Sequence, residues 1–340
     1  MQNVSDNKII EQKILFGLIK REKQANRRKI TLFGLIKITY HKKLIKKKKI
    51  CLSGNCVTAV IPEFLNSNRD FKNRYEVVLS KPVFMVQEDD VDLIKQQVSE
   101  CDVFITQPIG GGRYKELGID TESLIKLMKK DAKMIIMPVP YFTGYFPEQF
   151  YLHDKTGASI GEYKEIPQSP SPYHNKIIFK GFVDNLSEEE VLKKLYSLDN
   201  FNAGIPTKAV RASITELKRR EAYTDFGIAD FIEKKYKKHK LFYSINHPTN
   251  YLLNYMCEVM LKKLGIKKRL LKKRLIPKLK REQLDFIITP IIPSVAKELK
   301  LEKNVMSNNS KYTPEYISAC YKYYREHPDI VELNKESEES

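Results

Sequence analysis

The chemistry most readily read from this 340-residue chain sits on a thiol, Cys56, and an imidazole, His247. Cys56 closes the run Ser53-Gly54-Asn55-Cys56, directly after the strand-like Lys49-Ile50-Cys51-Leu52-Ser53. In an open parallel sheet ligands bind beyond the carboxyl ends of the strands, so a side chain there meets substrate. A thiol on a strand-to-helix turn also lies near a helix N-terminus, whose partial positive charge favours the thiolate. Gly54 lets backbone approach a reacting carbonyl, and the Asn55 amide offers a donor to an oxyanion. That is a nucleophile's setting; the alternative is a structural cysteine buried beside a tight turn. His247, in Ser244-Ile245-Asn246-His247-Pro248-Thr249, follows a second strand-like run, whereas the other five histidines lie in Lys runs or loop-like sequence. A Cys/His pair is the smallest set that makes and breaks a thioester or ester. Gln107, after the run Cys101–Thr106, would face the same edge and donate to an oxyanion; its alternative role is a turn cap before Pro108.

Other candidates carry less. Gly110-Gly111-Gly112-Arg113 lacks the Lys-Ser/Thr ending and the GxGxxG spacing of phosphate loops. Asp89 and Asp90 suit a helix N-terminus better than a metal pair, and no ligand cluster for a metal is present in the sequence. Five cysteines, an odd count without dense spacing, argue against a disulfide scaffold and for thiols in a reducing cytoplasm. Cys51 and Cys56 have no second Cys/His pair nearby to complete a zinc site.

The elements that must position these residues alternate in type. Strands are expected at 49–53, 75–80, 101–106 and 133–137, separated by helices at 57–65, 90–100 and 121–130, with Asp120 capping the last. Strands spaced by helices imply βαβ units and a parallel sheet. After Pro138 the chain reads as loop-like to about Asn175. Ser187 and Glu190 then form a capping box, and helices follow over about 208–222, 228–238 and 250–264, with a short strand at 241–245.

Charge divides the chain further. Its 60 Lys+Arg against 42 Asp+Glu give +18, yet residues 1–50 alone carry +12 and residues 262–281 carry +11, leaving the rest acidic. The basicity is therefore local, and a polyanion bound across the whole surface is excluded. Within the leader, Phe16-Gly17-Leu18-Ile19-Lys20 recurs as Phe33-Gly34-Leu35-Ile36-Lys37. Apolar side chains among cations suit an interfacial anchor on an anionic membrane, a partly disordered leader being the alternative. The tract 262–281 lacks the interleaved aromatic residues of a nucleic-acid platform, so nucleic acid is not an expected partner. No apolar run reaches the length of a membrane span. The expectation is a cytoplasmic protein, peripheral on the inner face of the cell membrane: a basic leader over 1–47, an α/β domain over 48–265, and a basic, helical extension with an acidic tail over 266–340.

Five segments in order carry a family resemblance: "LSGNC" ending at Cys56, "CDVFITQPI" around Gln107, "MIIMPVPYFTGYFP" from Met134, "ELKRREAYTDFGIADFI" from Glu216, and "NHPTN" at His247. Together they resemble the WcbI-type polysaccharide biosynthesis proteins, over roughly residues 50–265. The resemblance implies a three-layer, SGNH/flavodoxin-like parallel-sheet core with added helices, a thiol in the place of the SGNH serine, and acyl (acetyl) transfer from coenzyme A to a sugar hydroxyl of a capsule or surface polysaccharide. It matches Cys56 and His247 to nucleophile and base, Gly54 and Asn55 to the first block, and Gln107 to the oxyanion side. SGNH enzymes carry an acid three residues before the histidine, and here that residue is Ser244. A hydroxyl cannot stabilise an imidazolium as a carboxylate does, so a dyad is expected in place of a triad. The phosphates of coenzyme A need cations, for which Lys208, Arg211, Arg219 and Arg220 are the candidates. A thiol esterase using water, or a non-catalytic glycan-assembly protein held at the membrane, are the competing functions.

Overall fold

The computed structural model describes residues 10–14, 19–24, 27–32, 36–41, 46–79, 81–156, 173–200, 204–266 and 281–335. The chain falls into two units, Met1–Lys47 and Lys48–Ser340. In the first, strands β1 (Ile10–Ile14), β2 (Ile19–Gln24), β3 (Arg27–Leu32) and β4 (Ile36–His41) form an antiparallel sheet in sequence order. The leader thus contains a regular sheet that its density of cations hides from a reading by composition. The repeats' first residues and the tract 267–280 lie outside the described residues.

In the second unit, side-chain alternation along the strands sets the layers. Strands β5 (Lys48–Ser53), β6 (Tyr75–Leu79), β7 (Val103–Thr106) and β8 (Lys133–Ile136) form a parallel sheet in the order β6-β5-β7-β8. Ile50, Leu52, Val103, Ile105 and Ile135 join one core cluster, and the intervening Cys51 and Phe104 join another. This is the period-2 alternation of a sheet covered on both faces. On the first face lie helix α1 (Cys56–Ser67), with Val57, Ile61 and Phe64 in the core, and the short α2 (Arg69–Arg74). The second face takes Val91, Ile94 and Val98 of α3 (Val91–Glu100) and Leu124 of α5 (Thr121–Leu127), beyond the one-turn α4 (Gly112–Glu116). Asp120 caps α5 by accepting from the N–H groups of Glu122 and Ser123. The result is the expected three-layer α/β core.

The stretch after Pro138 departs from the loop-like expectation. Prolines keep 138–147 out of a ladder, yet Phe142, Tyr145 and Phe146 are fully buried, and the Tyr145 hydroxyl donates to the carbonyls of Tyr236 and His239. Strands β9 (Gln149–Tyr151) and β10 (Tyr173–Asn175) then pair antiparallel. Helices α6 (Lys176–Val183), α7 (Glu188–Tyr196, with the Ser187–Glu190 capping box), α8 (Ile205–Glu221) and α9 (Ala229–Lys235) follow. A two-stranded antiparallel ribbon, β11 (Phe242–Ser244) and β12 (His247–Pro248), leads into α10 (Asn250–Lys263). Beyond it, α11 (Pro293–Leu299), α12 (Lys303–Met306), α13 (Pro314–Glu326) and α14 (Pro328–Lys335) send Val295, Val305, Ile317, Tyr324 and Val331 into the same core as Ile50 and Phe179. The acidic stretch from Glu332 therefore begins inside a helix. Among the described residues no helix is long and apolar enough to cross a membrane.

Candidate active site

The β5–α1 turn is built around one amide. The Gln107 main-chain N–H extends the sheet ladder to the Ser53 carbonyl at 3.0 Å. Its side-chain Oε1 accepts from the Asn55 main-chain N–H at 2.8 Å. A main-chain N–H can only donate, so the amide oxygen must face Asn55 and Nε2 must face away. That Nε2 is buried and has no partner among the described residues. A Cβ on residue 54 would lie 2.4 Å from Gln107 Oε1 and 2.5 Å from Thr58 Cγ2, so closeness of the amide demands glycine here. Asn55 caps α1: its Oδ1 accepts from the Val57 N–H at 3.0 Å. Its main-chain N–H and side-chain oxygen are therefore engaged, its Nδ2 amide keeps its donors, and the buried donor without a partner at this turn, among the described residues, belongs to Gln107.

Cys56 is the first residue of α1 and is half-buried, while the other four cysteines are buried. Its thiol is pushed up to about 11, by burial against the smaller opposing pull of the Val57 and Cys56 N–H groups. The expectation of a thiolate favoured by the helix N-terminus is corrected on this point. Loss of hydration outweighs the N-terminal field, and the resting group is the thiol.

His247 does not follow a strand of the parallel sheet, as the sequence suggested; it stands on the second strand of the β11–β12 ribbon. Its imidazole is buried, with the exposed Phe286 tilted against it at 4.8 Å between ring centroids and Tyr173 perpendicular to it at 6.3 Å. Nδ1 is buried without a partner, and burial holds the ring down at about 4. Among the described residues no carboxylate bonds this imidazole in place of the missing triad acid. Ser244 is fully buried, and its hydroxyl reaches Asn246 Oδ1 at 3.4 Å.

Two residues that the sequence did not single out link the pieces. Tyr151 packs edge-on against Tyr173 at 5.1 Å between ring centroids, and the Tyr173 hydroxyl donates to Asn246 Oδ1 at 2.5 Å and so pins the turn carrying His247. Both tyrosines lie within electrostatic reach of the Cys56 thiol. Tyr173 thus packs against the imidazole while the charge of a Cys56 thiolate would be felt at its hydroxyl. The sequence signal for them was the alternation in Gln149-Phe150-Tyr151 and Tyr173-His174-Asn175, too short to register as strands.

The four cationic candidates are not brought to one point. Val210, Ser213, Ile214 and Leu217 form the buried face of α8, and Lys208, Arg211 and Arg219 lie on the opposite, exposed face. Arg219 and Arg220 both bind Glu216, at 2.7 and 2.6 Å, and hold its carboxylate down at about 2. Arg220 leans toward the core, its guanidinium 5.9 Å from the Tyr141 ring, and Arg219 lies within reach of Tyr223. Tyr223 forms one wall of a mainly apolar cleft of about 490 Å³ that includes Pro108, Ile109, Ile125 and Ile136 and begins one residue from Gln107. The rest of the segment from Glu216 is positional. Asp225 Oδ2 accepts from the Ile136 N–H at 2.6 Å, and Glu221 Oε1 accepts from the N–H groups of Ile228 and Ala229 at the start of α9.

Comparison with known proteins agrees with this architecture. A solved structure described as WcbI, a novel polysaccharide biosynthesis enzyme, superposes with a TM-score of 0.63 over 85% of this chain and 98% of its own, at 20% identity. It is described as the native protein without a disulfide bond between coenzyme A and one of its cysteines. No curated protein matches significantly. The family described as polysaccharide biosynthesis enzyme WcbI matches residues 49–269, which hold the parallel sheet, the Cys56 turn and the His247 ribbon, and the chain belongs to that family.

Proposed function

We propose that this chain is a coenzyme A-dependent acyltransferase that passes an acyl group, acetyl in the simplest case, to a sugar hydroxyl of a bacterial surface polysaccharide. The observation that carries the reading is the buried, unpartnered Gln107 Nε2, fixed in direction by Asn55, at the turn that presents Cys56. An orphaned buried donor costs stability of about 1–3 kcal/mol, and a reaction that develops negative charge on oxygen offers it a partner.

Bound coenzyme A supplies the acyl group as a thioester. The apolar cleft beside Gln107 suits its pantetheine arm, and Arg219, within reach of the cleft-lining Tyr223, is the cation offered for its phosphates. Held at about 4, His247 is neutral at pH 7 and free to accept a proton without first losing one. It takes the proton of the acceptor hydroxyl as that oxygen bonds to the acyl carbon, and returns it to the departing sulfur. Gln107 Nε2 donates to the acyl oxygen as charge grows there. Cys56, a thiol at rest, lies beside the reacting sulfur, a placement supported by the solved relative, whose description pairs a cysteine with coenzyme A.

Native mass spectrometry and calorimetry on the full chain test coenzyme A binding; its absence would overturn the proposal. The variant His247→Gln keeps a hydrogen-bonding side chain but cannot cycle a proton. Acyl transfer to sugar acceptors should fall by about two orders of magnitude or more, with coenzyme A affinity unchanged. Full turnover by this variant would exclude His247 as base, and turnover independent of any sugar would identify a thioesterase.

A further inference from the structure

The repeat in the leader acquires a meaning from the register of its sheet. Its 17-residue spacing equals one out-and-back passage of the chain, so both copies enter strands that run the same way, β2 and β4. Cross-strand partners then fall into rows. Ile14, Ile19, Leu32 and Ile36 make one, wholly apolar. The next is Lys13, Lys20, Thr31 and Lys37, and a third, towards the other end, is Ile10, Lys23, Arg28 and Tyr40. The repeated Ile-Lys pairs thus occupy the same two rows. Over the four strands eight Lys/Arg stand against two acids, Glu11 and Glu22, which pair with each other across β1 and β2.

Among the described residues this unit holds only these four strands, with no second layer of its own. A single sheet needs a cover to be stable. The charge selects which: by the alternation of a strand, the apolar row shares one face with the rows of Arg21, Ile30 and Ile38 and of Lys23, Arg28 and Tyr40, and apolar residues bordered by cations on one face fit an interface where acyl chains meet anionic headgroups. Tyr40 is the only aromatic residue in the four strands, too few for the stacking platform of a single-stranded nucleic-acid binder. We propose that the leader sheet is the docking surface of this protein for an anionic lipid bilayer. This holds whatever reaction the second unit performs.

Co-sedimentation of the full chain with phosphatidylglycerol vesicles, phosphatidylcholine vesicles serving as reference, tests the idea at low and high salt. Binding should require phosphatidylglycerol and weaken with salt. The double variant Arg21→Gln/Lys23→Gln, on the face of Ile19, should bind about thirtyfold more weakly, five- to sixfold for each cation removed. Ile19→Ser/Ile36→Ser should remove the binding that survives at high salt. Circular dichroism melts serve as folding controls. Unchanged binding by both double variants, with loss on neutralising Lys272, Lys273 and Arg274 instead, would overturn the proposal. So would self-association in sedimentation velocity that Ile19→Ser/Ile36→Ser abolishes without any vesicle binding, since the cover would then be a second copy.

Discussion

At the Cys56 thiol, two influences pull in opposite directions and burial wins. Access and ionisation therefore separate. Cys56 is the one cysteine that is not buried, yet its pKa of about 11 leaves little thiolate at neutral pH. Iodoacetamide should modify Cys56 before Cys51, Cys101, Cys257 or Cys320, with a rate still climbing roughly tenfold per pH unit from 8 to 10. Peptide mass spectrometry over that range is the check; a rate that levels off near pH 7 would show a preformed thiolate. At His247, Tyr173 and Phe286 hold the ring where a carboxylate would in a triad. Tyr173→Phe keeps the ring packing but removes the bond to Asn246. It should lower the rate of acyl transfer about tenfold while coenzyme A affinity stays constant, a split that steady-state kinetics resolves.

At the scale of elements, the β5–α1 turn is a three-way fit of Gly54, Asn55 and Gln107. Gly54→Ala would drive a methyl group into the Gln107 amide. The expected outcome is a loss of about 1–3 kcal/mol, seen as a lower thermal midpoint, together with loss of the Asn55–Gln107 bond and of acyl transfer. An unchanged midpoint would mean that the amide moves aside freely. The strand and helix flanking this turn were legible in the sequence because their determinants are local, Ile50-Cys51-Leu52 alternating between the two faces and helical spacing resuming at Val57, whereas the cap by Asn55 and the bond to Gln107, 52 residues away, were not. The βαβ order was legible for the same reason. The pairing in the ribbon of His247 and that of Tyr151 with Tyr173 were not, since strands of two or three residues carry too little periodicity, although the run 241–245 was itself expected as a strand. Nor was the leader sheet, where charged residues fall on both faces and blur the alternation of a strand.

For the whole molecule, stability must depend on pH through groups sealed in the core. Glu148 is fully buried, neither of its oxygens has a partner among the described residues, and burial pushes its carboxyl up to about 8. The folded chain keeps this proton where the unfolded chain, near 4.5, has released it, so stability falls as pH rises from 4.5 to 8. Glu148→Gln should therefore raise the thermal midpoint by several degrees at pH 8.5 and hardly at all at pH 4.5; equal shifts at both would reject a buried neutral acid. His174 and His247, held at about 3 and about 4 by burial, act in the opposite window. The unfolded chain takes up their protons below about 6.5, so stability is lost as pH falls towards 4, by about 1.4 kcal/mol per unit for each ring. The late helices bear on the order of assembly. Tyr324 of α13 packs on Phe179 and Phe182 of α6 and hydrogen-bonds the His174 imidazole at 2.8 Å. Ribosomes add roughly 5–20 residues per second, so the aromatic face of α6 waits on the order of ten seconds for its cover during synthesis. The growing chain carries an uncovered, adhesive surface through that interval, and nascent chains halted before α13 are the form that chaperones should hold most tightly.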